Sequence, residues 1–395
     1  MPFQETNRVT QREDFVLRAL VPGSNKAALC RQFGITRQTG YKWLQRYQER
    51  GVGGLRDMEP GPRRGGSPLA CSADVAVTVL RLRRDYPNYG PKKLHVVLAR
   101  DLAVEDVPSA RTICRILERF GLTRPRKIRR RRTGPTTAPV LQIERPNDVW
   151  SVDFKGWWRT GNGKKVEPLT VQDRFSRFVL TSELLDAPSF DNVKGAFEEL
   201  FTTYGLPRAI QSDGGPPFAA TSGVVGLSRL SAWWVALGIR WHRSRPACPQ
   251  DNGGHERMHR DMADDLERHP AWDRREQQAH CDRWRHQFNR HRPHQALAME
   301  TPASVYRKSR TMYTGATPEL VYPSGMVMRR ISASGTGRYL GYQRYVSTAL
   351  KGYAVGFEPL PELRFRIWFA DRPIAEGQHP WTGPLQAVTP TQEAP

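Results

Sequence analysis

Val149-Trp150-Ser151-Val152-Asp153-Phe154 alternates apolar with small or polar residues, the two-residue period of a β-strand. A second strand is expected over 166–171, followed by a turn around Asp173, Arg174 and Ser176. A third strand is expected over 178–184. Ser189 can cap a helix that runs to Tyr204 and stops at Gly205. A short fourth strand over 208–212 ends at Asp213, a helix covers 227–237, and a fifth strand covers 239–242. A loop rich in Gly, Pro and Asn (246–254) then leads into a helix carrying His255, Glu256, His259 and Arg260. Three strands followed by helix, strand, helix, strand, helix give a mixed five-stranded sheet with helices on its faces.

That order is ribonuclease-H-like, and it puts the first and fourth strands side by side. Asp153 in the first strand and Asp213 at the end of the fourth then converge, and Glu256 approaches from its helix. Clustered carboxylates repel one another unless a cation neutralises them. Hard oxygen donors of this kind suit Mg²⁺ or Mn²⁺. Two such ions, about 3.5–4 Å apart, can activate a water or hydroxyl and stabilise the leaving oxygen of a phosphodiester. Asp153, Asp213 and Glu256 are therefore both the catalytic and the metal-ligating candidates. Asp173 and Asp251 compete for these roles, but Asp173 fits the organisation of its turn and Asp251 that of its loop.

Outward from the core, the chain is strongly basic. Lys and Arg number 61 against 39 Asp and Glu, a net charge of +22, which points to a polyanionic partner, most often nucleic acid. Residues 1–55 read as three short helices, with Thr36 capping the third and Tyr41, Trp43, Leu44 and Tyr47 along it. Two helices joined by a Gly-containing turn form the helix-turn-helix pattern, whose second helix enters the major groove. Arg37, Gln38, Lys42 and Arg46 are the candidate DNA-contacting residues there. A Gly/Pro-rich linker (56–71) precedes a second helix-turn-helix unit over 72–123. Pro91 starts one of its helices and Ser109 caps another, with Ile113, Ile116, Leu117 and Phe120 as the buried stripe and Arg111 and Arg115 exposed. The next linker, 124–146, opens with RPRKIRRRR, seven basic positions in nine. Its Arg126, Lys127, Arg129, Arg130, Arg131 and Arg132 suit salt-sensitive, sequence-independent phosphate contact. Arg257 and Arg260 beside Glu256 are further candidates, together with His259.

Several classes fall away. No apolar run approaches the roughly 18–20 residues of a membrane span, and the first residues are polar, without a signal-peptide apolar stretch. The five cysteines form no Cys-x-x-Cys pair, so a disulfide framework or four-thiolate zinc site is not expected. A cytoplasmic, nucleoid-associated protein fits. Beyond the core (147–310), residues 317–395 hold 8 basic and 6 acidic residues. Short alternating runs at 327–331, 339–346, 353–358 and 363–369 suggest a small SH3-like β-barrel over 317–380, with a frayed tail at 381–395.

Together these motifs resemble a bacterial insertion-sequence transposase of the retroviral-integrase superfamily, the type with an Asp-Asp-Glu core. WSVDFKGWW resembles the stretch around the family's first Asp, here Asp153. QSDGGPPF resembles the second, usually Asp-Asn-Gly, here Asp213 with Gly214 in the Asn position. PQDNGGHERMHR resembles the third, here Glu256. FNRHRPHQAL and TPASVY resemble the stretch that closes the core in many such transposases, here Asn289, Arg292, Pro293, His294, Pro302 and Tyr306. The gap between Asp213 and Glu256 is longer than the commonest family spacing, and 219–226 is a small-residue loop able to hold the excess. No His-His-Cys-Cys zinc element precedes the core, so no zinc is expected, and His291 and His294 read as structural or DNA-contacting.

The resemblance implies binding of an element's terminal inverted repeats, cleavage of its ends and joining of the 3′-hydroxyls to target DNA. It further implies two Mg²⁺ or Mn²⁺ ions per active site, and a homodimer or higher homo-oligomer on double-stranded DNA. Two rivals come from other classes: a non-catalytic DNA-binding regulator, and a ribonuclease-H-like nuclease acting on hybrids or junctions.

Overall fold

The computed structural model describes residues 7–57, 72–101, 107–123, 141–220, 225–245, 252–380 and 383–388. The basic run with Arg126, Lys127, Arg129, Arg130, Arg131 and Arg132 lies outside the described residues, as do Asp251, most of the first linker and most of the tail. Two compact units emerge, Met1–Ser72 and Ala73–Pro395.

The first unit holds α1 (Arg8–Leu20), α2 (Lys26–Gln32) and α3 (Arg37–Arg50). Thr36 caps α3 as its sequence suggests, accepting from the Thr39 N–H. Asn25 caps α2, accepting from the Ala28 N–H, while the Ser24 hydroxyl donates to the Ala19 carbonyl. Gly34, at φ +65°, makes the turn between α2 and α3. Phe15, Val16, Ala19, Cys30, Trp43, Leu44 and Leu55 form the core.

The second unit begins with α4 (Ala73–Asp85), α5 (Pro91–Asp101) and α6 (Ala110–Arg119). Ser109 caps α6, and Ile113, Ile116 and Leu117 are buried on it. Phe120 is not part of that stripe: it is 56% exposed, because α6 ends at Arg119 and the chain turns there.

The sheet follows, in strands β1 (Val149–Phe154), β2 (Trp158–Arg159), β3 (Lys165–Val166), β4 (Pro168–Asp173) and β5 (Val179–Leu184), then α7 (Phe190–Tyr204), β6 (Ala209–Ser212), α8 (Arg229–Ala236) and β7 (Arg240–Arg243). Helices α9 (Gly253–Met262), α10 (Arg274–Arg290) and α11 (Pro302–Val305) close it. The order is β5-β4-β1-β6-β7, with β1 antiparallel to β4 and parallel to β6. The expected second strand is thus split. Lys165 and Val166 pair with β2 in a small hairpin, and the sheet strand starts at Pro168.

Each face of the sheet has its own apolar layer. Trp150, Val152 and Ile210 pack with Phe197, Phe201, Trp233 and Trp234 of α7 and α8. Val179 and Leu184 pack with Met258, Met262, Cys281, Trp284 and Phe288 of α9 and α10. Each large side chain so buried contributes about 1.5–3 kcal/mol, which fixes β1 between two helical layers.

The last region comprises β8 (Val327–Arg330), β9 (Thr336–Tyr339), β10 (Tyr342–Tyr345), β11 (Ala354–Pro359), β12 (Arg364–Phe369), β13 (Arg372–Gln378) and β14 (Gln386–Ala387). Five of these strands form an antiparallel sheet in the order β14-β13-β12-β11-β8, while β9 and β10 form a separate hairpin. The expected barrel is not confirmed, since among the described residues no sheet closes. The run at 339–346 turns back on itself at Leu340 and Gly341, both at positive φ. Leu350, Phe357, Phe365 and Phe369 join the same apolar cluster as Trp234, so this sheet buries its inner face against the core. Among the described residues no helix is long and apolar enough to cross a membrane.

Candidate active site

Parallel pairing aligns Val149 with Ala209 and Ser151 with Gln211, so β1 and β6 run towards the same edge of the sheet. Asp153 lies near that end of β1, and Asp213 follows the last residue of β6. Asp153 is half-buried, and its carboxyl is pushed up to about 7. Burial is the largest cause and the Asp213 carboxylate the next. The Phe154 N–H opposes them, while Glu256 and Glu167 add to the rise. Asp213 and Glu256, both distant in sequence, therefore act electrostatically on Asp153, the first as the strand order requires. Glu167, half-buried just before β4, is a fourth acid in this field that sequence reasoning passed over.

Asp213 and Glu256 are exposed. The Gly215 N–H donates to Asp213 Oδ1 at 3.3 Å. Glu256 occupies the first turn of α9, where the helix dipole favours a negative charge. Its neighbour His255 is 1% exposed and locks the helix to the sheet. His255 Nδ1 lies 2.8 Å from Ser151 Oγ, and His255 Nε2 lies 2.7 Å from Thr170 Oγ1. Thr170 is the register partner of Asp153 and donates to its backbone carbonyl at 2.9 Å. His259, one turn on, is also tied to Thr170 Oγ1 at 2.7 Å and packs edge-on against His255. Burial pushes both imidazoles down, His259 to about 3, so they are held neutral. The suggestion that His259 meets phosphate is corrected, because it faces the sheet; Arg257 and Arg260 are exposed.

Asp173 organises its turn, as its sequence context suggests. It is buried and accepts from the N–H groups of Asn147 and Ser176 at 2.7 and 2.8 Å. The stretch from Asn289 to Tyr306 is internal support. Asn289 accepts from the Val179 N–H and donates to the Val179 carbonyl, at 2.8 and 2.9 Å. Arg292 is buried and pairs with Asp261 at 2.5 Å, and Tyr306 stacks on Phe178 and donates to Asn147 at 2.9 Å. His294 is half-buried beside Phe288, and burial lowers it to about 3, which makes it a packed, neutral group.

Among the described residues, no three His, Cys, Asp or Glu side chains form a group that could hold a metal ion as they stand. The donor chemistry nevertheless fits a hard divalent cation: all are carboxylates, and Asp153 sits in negative charge that a bound cation would offset. In the first unit, Arg37, Gln38 and Lys42 on α3 are exposed and Arg46 is half-buried. Lys42, Arg46 and Arg12 all stand over the Trp43 ring, with Arg12 4.1 Å from its centroid. Arg111 and Arg115 on α6 are exposed.

Comparison with known proteins gives four matches to domain families. The integrase core domain matches residues 143–249 and 237–302. Homeodomain-like domains match residues 6–56 and 39–117. An uncharacterized 39.2 kDa protein of insertion element IS476, from Xanthomonas euvesicatoria, is 25% identical, covering 62% of this chain and 68% of that protein. A 31.7 kDa protein of IS407, from Burkholderia multivorans, is 26% identical, covering 60% and 82%. The Gag-Pol polyprotein of baboon endogenous virus is 24% identical over 59% of this chain, which spans only 13% of that polyprotein. Among solved structures, the catalytic core domain of BIV integrase overlaps 40% of this chain and 93% of its own, with a TM-score of 0.32 and 22% identity. The HTLV-2 integrase core in complex with magnesium overlaps 41% and 98%, with a TM-score of 0.31 and 15% identity.

Proposed function

We propose that this chain, a member of the integrase-core superfamily with homeodomain-like domains ahead of its core, is a DNA transposase. In this reading the modules at 1–55 and 72–123 bind the terminal inverted repeats of its element. The linker at 124–146 holds the DNA backbone, and the core at 147–310 cuts and joins. The observation that carries the reading is the position of Asp153, half-buried at the sheet edge within the fields of Asp213 and Glu256.

Asp153, Asp213 and Glu256 would hold the divalent cations, Mg²⁺ or Mn²⁺, two to a site. Such ions, when bound, activate the attacking oxygen and neutralise charge on the phosphodiester. The protein's part is placement. Strand β1, sandwiched between β4 and β6, keeps Asp153 at a fixed depth. His255 anchors α9 to Ser151 and Thr170, and so sets the height of Glu256 over that edge. Water attack at the element's end frees a 3′-hydroxyl. That hydroxyl then attacks a target phosphodiester and displaces the adjoining 3′ oxygen, so no covalent enzyme intermediate is needed. Both ends of an element must be handled together, so the working form is a homodimer or larger homo-oligomer.

The test is a cleavage and joining assay with the inverted repeats that border the element, in Mg²⁺ or Mn²⁺. Asp153→Asn, Asp213→Asn and Glu256→Gln should each abolish both steps while leaving repeat binding intact. Normal joining by any of the three would refute the assignment of that carboxylate.

A further inference from the structure

Gly214, where the family pattern usually has Asn, faces a neighbour that accounts for the change. A Cβ built on Gly214 would lie 2.5 Å from both Nε and Nη2 of Arg243 and 2.9 Å from Cζ. The backbone at 214 is not in the left-handed region, so what a side chain there would meet is the Arg243 guanidinium, which would have to move aside. Parallel pairing explains the approach: Arg243, the last residue of β7, is the register partner of Ser212, one residue before Asp213. The guanidinium therefore lies across the backbone that follows Asp213.

Its partners leave it underused. Among the described residues its one hydrogen bond goes to the Gly214 carbonyl at 3.4 Å, and no carboxylate is within ion-pair distance. The side chain is exposed. A planar cation with spare donors, resting at the rim of a carboxylate cluster, suits bidentate recognition of a phosphate. It also answers an electrostatic difficulty, since a DNA strand must bring its own negative charge up to Asp153, Asp213 and Glu256.

We propose that Arg243 is a phosphate-binding residue of this site, holding a backbone phosphate of the DNA strand beside Asp213, and that Gly214 is the space its guanidinium requires. The proposal rests on the reading of the core as a DNA-cutting site. It goes beyond that reading by naming a cation and a contact that replace the usual Asn.

Gly214→Asn is a useful probe, because the atoms it strikes are the far end of a flexible side chain that can swing away without unfolding the sheet. The full-length protein would be assayed in Mn²⁺ for nicking of a plasmid carrying the element's inverted repeats. Arg243→Ala and Gly214→Asn should each lower the maximal nicking rate about tenfold to a hundredfold, the worth of one charge-assisted contact. The double variant should be no worse than either single change, because both remove the same cation, and Arg243→Lys should recover part of the rate. Full activity of Arg243→Ala, or multiplicative losses in the double variant, would overturn the proposal. In parallel, Arg243→Cys would be tested for disulfide cross-linking to duplexes bearing a tethered thiol at single backbone phosphates. One preferred position is expected; none, or a uniform ladder, would overturn the contact. Cross-linking of Arg243→Cys at one position, with wild-type protein that never nicks, would sink the catalytic reading and keep the phosphate site. One that nicks normally without Arg243 would do the reverse.

Discussion

The sheet edge that carries Asp153 and the stretch from Asn289 to Tyr306 are both rich in polar side chains, yet they are built on opposite terms. Around Asn289, most polar groups find partners: both Val179 backbone groups meet its amide, Arg292 meets Asp261, and Tyr306 meets Asn147, while Arg292 Nε and His294 Nε2 are buried without a hydrogen bond among the described residues. Around Asp153, acids face acids, and burial deepens the cost. Supporting residues lower the free energy of the fold, whereas a site kept for an external cation and a phosphodiester is left in electrostatic debt. Substitutions in the two regions should therefore differ in sign as well as in size.

The largest effect belongs to activity. Asp153→Asn, Asp213→Asn or Glu256→Gln should cut strand cleavage by about a thousandfold or more, beyond the loss of a single polar contact. Equal losses from Asn289→Ala, per folded molecule, would break the distinction. Asn289→Ala should instead act on stability. It leaves the Val179 N–H and carbonyl without their partner in a buried setting, a cost of about 3 kcal/mol in chemical denaturation. Asp153→Asn should move stability the other way in metal-free protein. A carboxyl raised to about 7 in the fold, from an ordinary value of 3.8, favours the folded state at low pH. That contribution is fully present below about pH 4 and is lost as pH rises through 7. At pH 8 the Asn variant should then unfold at higher denaturant than wild type, by up to roughly 4 kcal/mol, and the gap should close by pH 4. A pH-independent difference would show that the carboxyl is not held as described. The smallest effect is that of Tyr306→Phe, which removes one of the two donors to Asn147 and should cost about 1 kcal/mol with cleavage unchanged.

What the sequence revealed, and what it hid, follows from the range of the interactions. Local signals were legible. Thr36, Ser109 and Ser189 cap the helices their context predicts, and the alternation in 149–154 is the central strand. Strand order followed from the succession of elements, and with it the approach of Asp153 to Asp213. The role of His255 was not legible, because its partners Ser151 and Thr170 are 104 and 85 positions away. The fit of Arg243 against Gly214 needed the register of two parallel strands, which periodicity does not give. Alternation likewise reveals strands near the end of the chain but not whether they close, and there the sheet packs on the core instead. Phe120 misled because it keeps the helical spacing one residue past the helix end.

The central claim is that Asp153, Asp213 and Glu256 share divalent ions, and calorimetric titration of Mn²⁺ tests it without any DNA. At pH 7 wild-type protein should bind Mn²⁺ with release of a fraction of a proton, read from the dependence of the heat on buffer, because Asp153 is part-protonated there. Asp153→Asn should lose both the binding and the proton. Unaltered Mn²⁺ binding in that variant, or binding by wild type with no proton release, would contradict the account.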